Sequence, residues 1–178
     1  EDETAQDTKH FETLRALEFF VEFENIEIWA VLRVSVWREM LPNVTIIREG
    51  ERNKFFGIIL SGSVEISIDG KALCRLGRSE PVGEVSYLNP SSDQRCSTAV
   101  TLEPTLFLEV NAAALALSSE ELLERMRNTL LTRMIKRLRE VNRIAAAQGQ
   151  PAVQSLTASI TGGSSRPGGG LDLELAPM

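Results

Sequence analysis

The chain has 178 residues, of which 43% are hydrophobic and 25% charged, ordinary values for a chain that buries one core. Lys and Arg number 19 against 25 Asp and Glu, a net charge of -6, which argues against a surface built to hold nucleic acid phosphates. Two cysteines (Cys74, Cys96) and one histidine (His10) exclude a disulfide framework and a four-ligand zinc site, and leave no partners for Ser-His-Asp or Cys-His catalysis.

The charge is concentrated at the start. Residues 1–40 hold ten acids against four bases, and 1–10 is expected as an acidic, flexible leader. The opening Glu1-Asp2-Glu3 is unlike a secretory signal, and no run reaches the ~18 apolar residues that a membrane span needs. A cytoplasmic location without a membrane span is therefore expected. The absence of an initiator Met suggests a fragment, which leaves room for a neighbour upstream.

From residue 8 to 35 the apolar side chains Phe11, Leu14, Leu17, Val21, Ile28, Val31 and Leu32 recur at helical spacing, predicting helix. After Val36 the pattern shortens into β segments. Strands are expected at 36–41, 44–48, 55–60, 64–68, 72–76, 96–102 and 106–110, divided by Pro42-Asn43, Glu49-Gly50, Ser61-Gly62, Asp69-Gly70 and Asn89-Pro90. Asp69-Gly70 is the sharpest hairpin signal, because both residues tolerate positive φ. The expected fold class is mainly β with flanking helices. Its architecture would be an antiparallel β-roll or jelly-roll barrel with N-terminal helices and a long C-terminal helix.

That last helix is expected to begin with a Ser118/Glu121 capping box. Its apolar stripe is Leu123, Met126, Leu130, Met134, Leu138, Val141 and Ala145. The opposite face carries Arg125, Arg127, Arg133, Lys136, Arg137, Arg139 and Arg143, either as solvated surface or as a seat for acidic residues such as 1–7. At about 30 residues the helix is long for one small barrel, so a dimer seam or continuation into a further domain is considered. From Gly149 onward six of the 12 glycines join Pro151, Pro167 and Pro177, and 149–178 is expected as a flexible tail. The folded domain is accordingly placed at 11–148.

One segment interrupts the β pattern: Pro81-Val82-Gly83-Glu84-Val85-Ser86-Tyr87-Leu88, followed by Gln94-Arg95-Cys96-Ser97-Thr98-Ala99-Val100. Gly83 lets backbone approach a ligand, and 84–88 is long enough for one helical turn whose free N–H groups suit a phosphate. Arg95 can bring a planar guanidinium to the same phosphate. Glu84 can accept from sugar hydroxyls. A cyclic phosphodiester fused to a ribose would satisfy all of these, and a plain Gly-Glu turn beside a surface arginine is the alternative.

Taken with Ile46-Ile47-Arg48-Glu49-Gly50-Glu51 and Phe56-Gly57-Ile58-Ile59-Leu60-Ser61-Gly62-Ser63-Val64-Glu65-Ile66, the segment resembles the cyclic nucleotide-binding domain family. Catabolite activator protein, protein kinase A regulatory subunits and cyclic nucleotide-gated channels belong to it. The resemblance covers roughly 12–145 and keeps the order helix, barrel, phosphate cassette, helix. It implies Gly50 and Gly62 as turn residues and Glu84 as the ribose 2′-hydroxyl acceptor. Arg95 would be the phosphate ligand, and the amides of Val85 and Ser86 further donors. Gly83, Cys96 and Ser97 complete the implied contact set, with Cys96 a small residue rather than a redox centre and Thr98 packing. The implied lid over the base is the last helix, with Met126, Arg127 and Leu130 as candidates beside Leu122 and Arg133. Asn89–Gln94 is longer than the common form, and Pro81-Val82 replaces the usual aromatic before the glycine.

The resemblance implies a cyclic nucleotide sensor without catalytic activity. Its ligand would be cyclic AMP, with cyclic GMP as the alternative, no metal would be involved, and capture at the cassette would swing the last helix onto the barrel. A nucleotide-independent assembly module on the same fold is the competing class. A third reading is the sensor half of a transcription regulator, which would not contact DNA directly because no recognition helix follows residue 149. Partners would be the nucleotide and either a second copy through the long helix or a fused domain.

Overall fold

The computed structural model describes residues 2–89, 91 and 94–148. Strand β3 (Phe55–Ser61) contains an unbroken apolar run and is buried almost along its length. Such a strand needs cover on both faces. It lies inside an antiparallel sheet of order β1-β8-β3-β6, with β1 at Ser35–Met40, β6 at Pro81–Val82 and β8 at Thr105–Asn111. One face presents Phe56, Ile58 and Leu60, with Leu108 and Val110 from β8, to the helices. The other turns Ile59, Val82 and Phe107 toward a second antiparallel sheet. That sheet has the order β2-β7-β4-β5: Thr45–Ile47, Thr98–Thr101, Val64–Ile68 and Lys71–Leu76. It returns Ile47, Val64, Ile66, Leu76 and Ala99.

The fold is thus mainly β with flanking helices, a roll of two four-stranded sheets. Among the described residues the strands do not join into one closed barrel, because each sheet ends on its own edge strands. The expected strands recur within a residue or two, and the largest loss is at 96–102, where β7 begins only at Thr98. Arg95 is drawn off instead: its N–H donates to the Glu51 carbonyl (2.9 Å) and its carbonyl accepts from Gly50 N–H (2.9 Å). Between β4 and β5, Asp69 (φ 50°) and Gly70 (φ 72°) form the predicted hairpin turn.

The helical stretch expected at 8–35 is broken. Helix α1 spans Asp2–Arg15, a 3-10 turn follows at Glu18–Phe20, and α2 spans Asn25–Arg33. Phe19, Phe20 and Phe23 all turn inward, with Phe20 edge-on to Phe19 at 5.0 Å and to Phe23 at 5.1 Å. Arg15 ties the turn down by donating to the carbonyls of Phe20 (3.3 Å) and Phe23 (2.6 Å). Residues 2–10, expected as a leader, form the first turns of α1, which docks through His10 stacked on Trp37 (3.9 Å) and Phe11 on Trp29 (4.8 Å). The expected tail, 149–178, lies outside the described residues.

Helix α3 is the five-residue turn Glu84–Leu88, and α4 is Ala112–Leu115. Helix α5, Glu120–Ala147, is capped one residue later than the sequence predicts. Ser119 Oγ, not Ser118, accepts from Leu122 N–H (3.3 Å). Among the described residues its basic face meets acids from the 3-10 turn and α2. Arg125 pairs with Glu27 (2.8 Å) and Arg133 with Glu18 (3.3 Å).

Candidate functional site

The cassette begins where β6 ends. Val82 pairs with Gly57 of β3, and the chain must then reverse into a helix within one residue. Gly83 does this in the left-handed region (φ 78°, ψ 11°), where an L side chain is strained. Space forbids a side chain too: a Cβ would lie 2.5 Å from Ile47 Cδ1 and 2.8 Å from Arg95 Nη1. The close approach that the sequence reserves for a ligand is made to Arg95. As N-cap, Gly83 has no side chain to satisfy the first amides of α3, which leaves Val85 and Ser86 N–H in an open first turn.

Arg95 is only 3% exposed. Its Nη1 donates to the Gly83 carbonyl at 2.8 Å, its Nη2 to the Phe55 carbonyl and its Nε to Asn53 Oδ1. Phe55 also lies beneath the guanidinium, 4.8 Å from ring centroid to Cζ. Burial pulls this guanidinium below its ordinary value, with Cys96, Glu84 and Glu51 acting the other way. A guanidinium carries five N–H groups. Among the described residues three have partners, so two remain for a ligand.

Glu84 is 1% exposed and lies close enough to Arg95 for their charges to interact. Its partner comes from far along the chain: Arg137 of α5 donates Nη1 to Glu84 Oε1 (2.8 Å) and Nη2 to the Pro81 carbonyl (2.7 Å). The half-buried Cys96 thiol is pushed up by burial, with a hydrogen bond to Ser97 opposing. Burial raises Cys74 as well, against the nearby positive charge of Arg137. Thr98 Oγ accepts from Glu49 N–H (3.0 Å) and so holds the turn before the cassette.

The structure therefore brings Arg95 onto the Gly83 carbonyl at the start of α3, with Glu84, Cys96 and Ser97 close by; Val85 and Ser86 follow as the first turn of that helix. The proposed lid residues lie elsewhere. Met126 and Leu130 are fully buried in the helical cluster, while Arg127 is exposed, near Tyr87. Tyr87 itself packs on Phe56 (4.8 Å), seating α3 on the helical side. Sequence reasoning missed Arg137, Asn53 and Phe55. Arg137 had a usable signal, since it stands one heptad after Leu130, in phase with the buried stripe Leu122, Met126 and Leu130. Asn53 and Phe55 had none, because their roles depend on a carbonyl and an amide turned toward a residue some 40 positions away.

No group of three or more His, Cys, Asp or Glu that could hold a metal occurs among the described residues, nor any helix long and apolar enough to cross a membrane.

Comparison with known proteins agrees with this fold. Residues 37–117 match the model of the cyclic nucleotide-binding domain. The Pycsar effector protein XpPycTIR of Xanthomonas perforans is 27% identical over 118 residues, 66% of this chain and 38% of that protein. The chain thus spans well under half the length of that relative. A cyclic nucleotide-binding domain from Methylobacillus flagellatus superposes with a TM-score of 0.68 at 19% identity, over 81% of this chain and 84% of that one. cAMP-bound PfPKA-R superposes with a TM-score of 0.67 at 15% identity, over 88% of this chain and 50% of that one. At these identities the two structures speak for the fold alone. By sequence match over residues 37–117 and by fold together, this chain is similar to the cyclic nucleotide-binding domain family.

Proposed function

We propose that the chain is a regulatory module that captures a 3′,5′-cyclic nucleotide, cyclic AMP or cyclic GMP, and passes the event on by repositioning α5. The observation that carries this is the juxtaposition of buried Arg95 and Glu84 at the open first turn of α3, where Arg95 donates to the Gly83 carbonyl at 2.8 Å. A cyclic phosphate would take the two remaining N–H groups of Arg95 and the amides of Val85 and Ser86. A ribose hydroxyl would donate to Glu84, with Gly83, Cys96 and Ser97 as walls, and the base would lie toward α5. Binding rather than catalysis follows from the same chemistry, since a paired carboxylate beside a guanidinium offers no acid–base couple. The same reading places the domain in the cytoplasm.

Calorimetric titration with the four common 3′,5′-cyclic nucleotides tests the reading. Arg95→Ala is expected to weaken binding roughly tenfold to a hundredfold, the worth of a charge-assisted hydrogen bond. Equal heats from variant and wild type would remove it.

A second reading, a nucleotide-independent docking module, draws on the internal partners of Arg95 and Glu84 and on the half-exposed Ile135 and Ile144 of α5 (46% and 44%). Those side chains offer a seam for a second copy or a fused domain. Sedimentation with and without nucleotide separates the readings: an assembly indifferent to nucleotide favours docking.

A further inference from the structure

Helix α5 is held differently at its two ends. Up to Leu130 it buries Leu122, Met126 and Leu130, and Arg125 adds a pair with Glu27. Beyond Leu130 no residue of the helix is fully buried. That half rests on ion pairs instead, Arg133 and Lys136 on the exposed Glu18 and Arg137 on the buried Glu84.

A carboxylate as buried as Glu84 needs positive charge nearby and a hydrogen-bond donor; Arg95 contributes charge, and in this structure Arg137 is the donor. The fit is one-sided. Arg137 Nη1 and Nη2 have acceptors, but its Nε is buried and has no hydrogen-bond partner among the described residues. A buried N–H left unpaired is unfavourable, so the contact answers the need of Glu84 while leaving Arg137 incompletely satisfied. Such an occupant can be exchanged for a better one.

We propose that Arg137 is an internal occupant of the ligand site: its guanidinium and a ribose hydroxyl compete for Glu84, so that a bound nucleotide releases the second half of α5. The proposal rests on the sensor reading above and gives it a direction, opening rather than closure. The first half of the helix stays on its apolar seat throughout, and the movement begins after Leu130. A ligand can shift such an equilibrium only by its differential affinity for the two states, and removing Arg137 removes the competitor.

The test uses the full chain as wild type, Arg137→Ala and Arg137→Gln, the last keeping length and polarity should alanine disturb folding. Calorimetry reads affinity for the cyclic nucleotides, and amide hydrogen exchange reads residues 134–147. The expected result is binding at least about fivefold tighter in both variants, the lower end of ordinary allosteric coupling. Exchange in 134–147 should quicken when wild type binds nucleotide, and should already be quick in the unliganded variants. Binding by the variants where wild type shows none is the extreme form of the same result. Weaker binding in both variants, with exchange in 134–147 slowed by nucleotide, overturns the competition and makes Arg137 a helper of Glu84, while the sensor reading stands. If none of the three proteins binds any cyclic nucleotide, the sensor reading itself fails and takes the competition with it.

Discussion

The two faces of β3 show two ways of building a protein interior. Toward the helices, Phe56, Ile58 and Leu60 meet Leu14, Leu17, Phe19, Phe20, Phe23, Met126 and Leu130, a cluster held by the removal of hydrocarbon from water. Toward the cassette end of the roll, Arg95 and Glu84 are equally buried but are held by directed bonds to carbonyls, an amide side chain and another guanidinium. The first region tolerates shape change at an energetic cost. The second has little tolerance of geometry, because each buried charge depends on a few atoms being in place. The apolar side anchors, and the polar side can exchange partners.

Three substitutions sharpen or break that contrast. Phe20→Ala should have the largest effect, a loss of about 3–5 kcal/mol of unfolding free energy, read by chemical denaturation. Affinity of the folded fraction for nucleotide should stay as in wild type. A large change in that affinity would mean that the helical cluster is part of the site.

Gly83→Ala should cost roughly 1–2 kcal/mol from the left-handed backbone alone. Here the effect should fall on the cassette as well, since the new methyl would press on Arg95 Nη1. Calorimetry should show weakened nucleotide binding, and unchanged binding with unchanged stability would contradict the described turn.

Ser119→Ala should remove the cap of α5 at a cost of about 1 kcal/mol. Because the cap sits at the core-anchored end of the helix, exchange at 134–147 should not respond. If that segment quickens as it does in the Arg137 variants, the two halves of α5 are not held independently.

Much of the fold was legible because local rules suffice for it. The Asp69-Gly70 turn, the alternation of β4 and the unbroken run of β3 each follow from short-range sterics and burial. The breaks were less legible. Leu17 takes an extended conformation (φ -87°, ψ 137°) inside what reads as one helix, and the reason is a cluster of three phenylalanines completed by distant strands. At the site, the sequence pointed to Gly83, Glu84 and Arg95 together, and the structure brings them together. It also adds Arg137, hidden among seven basic residues of one helix and marked out only by its phase.

Chain order and side-chain chemistry alone determined that a short glycine turn, an acid and an arginine would interrupt a run of antiparallel strands, because periodicity and turn preference act over a few residues. Which groups those charges would pair with was decided only in three dimensions. A buried ion takes whatever partner the fold delivers within hydrogen-bond reach, and residues 84 and 137 are brought within 2.8 Å only when α5 lies across the roll.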